Sequence, residues 1–227
     1  MELNPIEQSP TLKYKEDVAD KIKLYTIENR NGLKLTVSNC GAAVVSLFVK
    51  DKRGILGDIV LGYSAPSDYI TDEFYLGTVI GRCANRIGGG KININDKLHY
   101  LSLNRNGFHH HGGFEGFNKK LFQAEAFQRE SESGVLFKYV SPHLEEGYPG
   151  ELTLLVRYTL NENDQWKIGY EARTTEDTII NFTQHSYFNL SGNPSNAVDE
   201  HEIKINSNYY LPVNEDQLPT GELAPVS

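Results

Sequence analysis

Apolar residues in this chain recur at every second position in short runs, and no window of a dozen residues carries the stripe of an amphipathic helix. Ile22 and Leu24 alternate with lysines, Asn31-Gly32 marks a tight hairpin, and Leu33, Leu35 and Val37 resume the alternation. Trp166, Ile168, Tyr170 and Ala172 give the clearest two-residue period, and Leu152 to Leu160 is its expected partner across Asn161 to Asp164. Ile92 and Ile94 lead into an Asn95-Asp96-Lys97 turn, with Leu98 and Tyr100 beyond it. Ala43 to Val49 is apolar except for Ser46, which suits a strand covered on both faces, and Asp51 to Gly54 then supplies a turn. Arg129 to Gly134 reads as a solvated polar turn. Helix is confined to a short turn at Ser67 to Ile70, opened by Pro66. Many short strands separated by Gly, Asn and Asp bury their faces only as a sandwich or a barrel, so the chain is expected to be all-β.

A length of 227 residues fits one all-β domain or two small ones, and 39% hydrophobic residues supply a core. The net charge of −8 argues against nucleic acid as a partner, because binding a polyanion relies on Lys and Arg at the phosphates. A neutral ligand fits better. Cys40 and Cys83 are too few for a disulfide framework and lack metal-ligand spacing, so both are expected as small buried residues in a reducing compartment. The first twenty residues mix Glu2, Glu7, Lys13, Lys15, Glu16 and Asp17 with prolines, which leaves no signal-peptide core and nothing near a membrane span. A cytoplasmic protein with no membrane partner is the expectation.

Chemistry concentrates in Asn181-Phe182-Thr183-Gln184-His185-Ser186-Tyr187-Phe188-Asn189-Leu190. Aromatic faces can cover the C–H side of a sugar, amides and hydroxyls can pair with its OH groups, and His185 can move a proton near neutral pH. Other chemistries fit less well. Gly88-Gly89-Gly90-Lys91 is followed by Ile92 where a phosphate loop needs Ser or Thr, so it reads as a turn. His109-His110-His111 offers two same-face imidazoles to a metal but no third ligand at a suitable spacing. No Gly-x-Ser-x-Gly elbow exists, and Glu145-Glu146 is read as a solvated pair rather than a glycosidase couple.

The ten residues around His185 resemble the catalytic-histidine signature of the aldose 1-epimerase (galactose mutarotase) family. A second block agrees: Ile80-Gly81-Arg82-Cys83-Ala84-Asn85-Arg86-Ile87, Gly90-Lys91, then His111-Gly112-Gly113 with Gly116-Phe117 and Lys119. Smaller echoes are Asn39-Cys40-Gly41-Ala42, Glu146-Gly147-Tyr148-Pro149-Gly150-Glu151-Leu152 and Leu218-Pro219-Thr220-Gly221. The resemblance implies a large antiparallel β-sandwich, with residues 1–227 forming one domain that corresponds to the N-terminal two thirds of the family domain and is incomplete at its C-terminal end. It implies interconversion of the α and β anomers of aldohexoses such as galactose and glucose, with no cofactor and no metal. His185 would be the general acid at the ring oxygen, His111 would stabilise charge in the open form, and Asn85 and Arg86 would hold hydroxyls. The family's glutamate base and a sugar-binding aspartate lie beyond the segment matching Leu218 to Val226, so neither is assigned to Glu200, Glu202 or Glu222. A fragment or short form with little activity and a poorly covered sandwich is therefore expected, and the competing expectation is a sugar-binding module that has lost the chemistry. The preferred aldose and the oligomeric state stay open.

Overall fold

The computed structural model describes residues 10–16 and 21–226, so most of the polar stretch read against a signal peptide lies outside the described residues. Strands β1 (Thr11–Glu16), β2 (Lys23–Glu28), β3 (Lys34–Ser38), β4 (Val44–Lys50) and β5 (Leu56–Asp58) form an antiparallel sheet in chain order. Five short strands follow: β6 (Val79–Ile80), β7 (Arg86–Gly88), β8 (Lys91–Ile94), β9 (Lys97–Tyr100) and β10 (Phe108–His110). A four-stranded antiparallel meander comes next, made of β11 (Gln123–Gln128), β12 (Glu132–Ser141), β13 (Leu152–Asn161) and β14 (Trp166–Thr174). Three two-residue strands close the described chain: β15 (Thr183–Gln184), β16 (Tyr209–Tyr210) and β17 (Ala224–Pro225).

The two larger sheets share one core, which makes the fold an antiparallel β-sandwich. Ile27, Leu35, Val37 and Val44 enter it from the first sheet, and Val135, Phe137, Leu154 and Val156 from the second, all at 0% exposure. Burying a side chain of this size is worth roughly 1.5–3 kcal/mol relative to leaving it in water, so the alternation itself drives the sheets together. Tyr25 meets Phe137 edge-on across the layers at 6.1 Å, and the buried Tyr158 hydroxyl donates to the Ala42 carbonyl at 2.8 Å.

The expected β2–β3, β8–β9 and β13–β14 hairpins all form. Asn31-Gly32 is not a two-residue turn: the connection runs from Asn29 to Leu33, because the Asn29 side chain bonds the Leu33 amide and replaces the tighter closure. Asn95-Asp96 is the two-residue turn, with both residues at positive φ. Strand β4 is covered on both faces, Val44 and Leu47 by the main core and Val45 by the small cluster of Ile22, Cys40 and Tyr69. The helical turn spans Pro66–Tyr69. Arg129 to Gly134 is a turn only at its start, since Glu132 already opens β12 and Ser133 and Gly134 are buried, the Ser133 hydroxyl donating to the Pro10 carbonyl. Ile203, Ile205 and Leu211 are 85%, 77% and 62% exposed, so the last fifty residues add little to the shared core.

Candidate active site

Strand β10 pairs antiparallel with β7, setting His110 opposite Arg86. One step further Asn85 faces His111, and two hydrogen bonds close the pair: the Asn85 amide donates to the His111 ring Nδ1 at 3.0 Å, and the His111 amide donates to the Asn85 carbonyl at 2.9 Å. Both residues stand in the left-handed region, at φ 63° and 49°. Asn tolerates that conformation; for His it is unusual and is imposed here by the paired backbone. Gly112 makes it possible, because a Cβ there would lie 1.7 Å from the Gly81 carbonyl oxygen.

His185 arrives from another direction. Strand β15 pairs with β6, and just beyond it the His185 amide donates to the Thr78 carbonyl at 2.9 Å while its own carbonyl accepts from the Gly77 amide at 3.0 Å. Its ring stands 5.3 Å from that of His111, nearly perpendicular at 87°. Tyr75 packs on both, 4.8 Å from His111 and 5.9 Å from His185, and Tyr187 covers the other side of His185 at 5.0 Å. Residues 74 positions apart are thus brought into one pocket wall by two short strand pairs.

The loop carrying His111 is braced from behind by buried and half-buried polar groups. The Asn104 side chain accepts from the His110 amide and donates to the His110 and Gly113 carbonyls. Glu146 accepts from the Phe114 and Glu115 amides, and from the Ser102 hydroxyl. His109 is fully buried between the Tyr148 hydroxyl and the Ser102 carbonyl. Arg82, 2% exposed, donates to four carbonyls and the Ser141 hydroxyl. Arg86 instead reaches neutral partners, Asn85 at 2.9 Å and Gln217 at 2.6 Å, and lies over the Phe108 ring.

Six buried polar side-chain atoms lack a hydrogen-bond partner among the described residues, and three of them, Arg86 Nε, His110 Nδ1 and Ser186 Oγ, surround the histidine pair. Buried polar atoms are normally satisfied, so orphans gathered at one place mark where a ligand or ordered water supplies the missing bonds. Neither Arg86 nor Arg105 forms an ion pair among the described residues. Burial first, then the charges of His110, His185, Arg86 and Arg105, push His111 down to about 3; burial and Arg86 push His110 down to about 4. With Nδ1 accepting from Asn85, neutral His111 carries its proton on Nε2 and offers that N–H outward. The C2-proton resonance of His111 should therefore stay flat from pH 8 to about pH 4.5 in a proton NMR titration, and a transition near the ordinary histidine value of ~6.5 would contradict it. Because these folded-state values lie below the unfolded one, the unfolded chain takes up more protons in that window. The stability contributed is complete above about pH 6.5 and falls as pH drops toward 4, which melting curves read directly.

The structure brings together all four expected site residues, His185, His111, Asn85 and Arg86. Other expectations need correction. Of the ten-residue stretch, Gln184 and Asn189 spend their amides on backbone groups and Phe182 packs into the core, while His185, Ser186 and Tyr187 stand at the site. The same-face pair expected of His109 and His111 is absent, since the left-handed His111 breaks the alternation and sets its ring 3.8 Å from that of His110, tilted by 51°. Among the described residues no three His, Cys, Asp or Glu side chains group as metal ligands. Glu145 and Glu146 are not solvated: Glu145 accepts from Tyr139 and Ser141 and pairs with Lys120, and Glu146 braces the histidine loop. Tyr75, Asn104 and Gln217 were missed; only Gln217 had a signal, lying beside the Leu218-Pro219-Thr220-Gly221 echo. Cys40 is buried as expected, and Cys83 half-buried; both are free thiols. Among the described residues no helix is long and apolar enough to cross a membrane.

Strand-end histidines of an antiparallel sandwich, with an Asn-Arg pair locked to one of them, thus form one wall of the candidate site. The family model for aldose 1-epimerase matches residues 23–227, and the chain belongs to that family. Human galactose mutarotase is 41% identical over 194 residues, covering 86% of this chain and 55% of that protein. Aldose 1-epimerase of Escherichia coli K12 is 32% identical over 205 residues, 90% of this chain and 58% of that one. Galactose 1-epimerase from Lactobacillus acidophilus NCFM superposes with a TM-score of 0.84 at 28% identity, over 97% of this chain and 64% of that one. The chain thus spans little more than half the length of the mutarotases it matches.

Proposed function

We propose that this chain carries the acid-bearing part of an aldose 1-epimerase site, which interconverts the α and β anomers of aldohexoses such as galactose and glucose. In the reaction, a base takes the proton of the C1 hydroxyl, the C1–O5 bond breaks to give the open aldehyde, and O5 is protonated. Rotation about C1–C2 and the reverse transfers close the ring on the other face. His185 is the proton donor to O5, and the Nε2–H of neutral His111 hydrogen-bonds the oxygen on which charge develops. Arg86 and Asn85 orient the hydroxyls, and the positive surroundings favour an alkoxide-like oxygen. The observation that carries this reading is the crossed histidine pair at 5.3 Å, one ring with its acceptor nitrogen occupied by Asn85. The names of the relatives, galactose mutarotase and aldose 1-epimerase, supply the reaction class. Two free thiols favour a cytoplasmic setting.

A second reading, a sugar-binding module with impaired chemistry, is favoured by one observation: among the described residues no carboxylate is hydrogen-bonded to either histidine ring. Polarimetry of freshly dissolved α-glucose and α-galactose with purified 1–227, run beside a sugar titration, separates the two. Accelerated mutarotation supports the enzyme; binding without acceleration supports the module; neither sugar binding overturns both.

A further inference from the structure

The same four letters occur twice in this chain, as Asn29-Arg30-Asn31-Gly32 and as Asn104-Arg105-Asn106-Gly107, so sequence neighbours give the two Asn-Gly pairs much the same intrinsic chemistry. Asn-Gly is where a chain most readily attacks itself. The glycine amide nitrogen adds to the asparagine side-chain carbonyl, and the missing Cβ leaves that approach open. We propose that the fold directs this reaction to Asn106-Gly107, a self-modification site that matures to isoaspartate on the turn feeding β10, and shields Asn31-Gly32 from it. The inference depends on the fold alone and not on the sugar reading. As the bond from the Gly107 nitrogen to the Asn106 Cγ forms, that nitrogen gives its proton to water or hydroxide. The Cγ–Nδ2 bond breaks, and the leaving nitrogen takes up a proton and departs as ammonia, which closes a five-membered succinimide. Water then opens the ring. Attack at the side-chain carbonyl gives aspartate; attack at the main-chain carbonyl gives isoaspartate, in which the chain runs through the former side chain and is one carbon longer. Water is the only co-reactant, and nothing is oxidised or reduced.

Asn106 and Gly107 are both exposed and form a two-residue turn, which Arg105 and Phe108 close with reciprocal amide-to-carbonyl bonds at 3.3 Å. Among the described residues neither the Asn106 side chain nor the Gly107 amide has a hydrogen-bond partner. Gly107 stands at φ 79°, and a Cβ built on it would meet nothing within 4 Å, so the Asn106 carbonyl can swing onto the nitrogen without a clash. Both reacting groups of the other copy are held. The Gly32 amide donates to the Asn29 carbonyl at 3.0 Å, and the Asn31 side chain donates to the Glu162 carbonyl at 3.1 Å and to the Asp164 carboxylate at 3.2 Å. Attack there must first break these bonds, each of which adds to the barrier, and the Asp164 carboxylate opposes the charge on a deprotonated Gly32 nitrogen. The modified turn lies close to the site. Strand β10 begins at Phe108 and sets His110 opposite Arg86, and the Gly107 carbonyl accepts from the Gly89 amide at 2.8 Å. A longer main chain and a new carboxylate beside Arg105 therefore act on the strand that leads to His111.

Purified 1–227 aged at mildly alkaline pH tests this, with peptide mass spectrometry reading aspartate and isoaspartate at each Asn-Gly pair over time. The same chain in guanidinium chloride supplies the intrinsic rates. The expected result is similar conversion of the two pairs in the denatured chain and, in the folded protein, conversion at least about tenfold faster at Asn106 than at Asn31. Asn106→Gln should remove the reaction at that turn, because glutamine would have to close a six-membered ring. The aged parent should also melt below its fresh sample while the aged Asn106→Gln protein keeps its melting temperature. Conversion in the folded protein that is as fast at Asn31 as at Asn106, or absent at Asn106 while the denatured chain converts, overturns the site. An aged parent that melts with its fresh sample overturns the effect on β10.

Discussion

Replacing Arg82 by leucine should lower the melting temperature by about 10 °C, even though the chain keeps its hydrophobic content. The guanidinium is 2% exposed and donates to the Ser141, Pro142, Pro149 and Gly150 carbonyls at 2.8–3.1 Å and to the Ser141 hydroxyl at 2.9 Å. Leucine fills some of the volume but leaves those acceptors buried without donors, each costing about 1–3 kcal/mol before relaxation. A net loss of about 4 kcal/mol follows if half of them find other partners, and a chain of this size loses about 2–4 °C per kcal/mol. The Glu145 carboxylate nearby also loses one of its two cationic neighbours and keeps Lys120, which adds to the loss. Arg82→Lys, with three donors in place of five, should recover only part. Thermal denaturation followed by circular dichroism measures all three proteins, and a leucine variant melting within about 2 °C of the parent would remove Arg82 from its structural role.

That arginine also shows where the letters run out. Gly81-Arg82-Cys83-Ala84-Asn85-Arg86 contains two arginines four residues apart, and nothing in their order says that Arg82 holds the β12–β13 connection while Arg86 faces the site. The difference is set by long-range partners at Ser141 and Gly150 on one side and Gln217 on the other. Strand pairing was legible because a period of two records which face is buried, and β13–β14 formed across the expected loop. The histidine triplet was legible only as a motif. Its alternation predicted His109 and His111 on one face, but a positive φ at His111, forced by Asn85 and permitted by Gly112, sends them to different places. Tyr75 had no signal at all, since its role depends on rings delivered by two distant strand pairs.

His185→Ala should lower the mutarotation rate by about 10²–10⁴-fold in a protein carrying this chain, while sugar affinity changes by no more than a few-fold. The ring is half-buried between Tyr75 and Tyr187, and the two backbone hydrogen bonds that hold the segment, to Thr78 and Gly77, do not involve the side chain. The fold should therefore survive, and the loss should appear in kcat rather than in KM, because a proton donor to O5 acts as the ring opens and not when the closed sugar binds. His111→Ala is the informative companion. Its Nε2–H is already a donor in the neutral ring, so its removal should weaken both binding and turnover. If His185→Ala keeps most of the rate and His111→Ala loses it with sugar affinity retained, the proton donor has been assigned to the wrong ring.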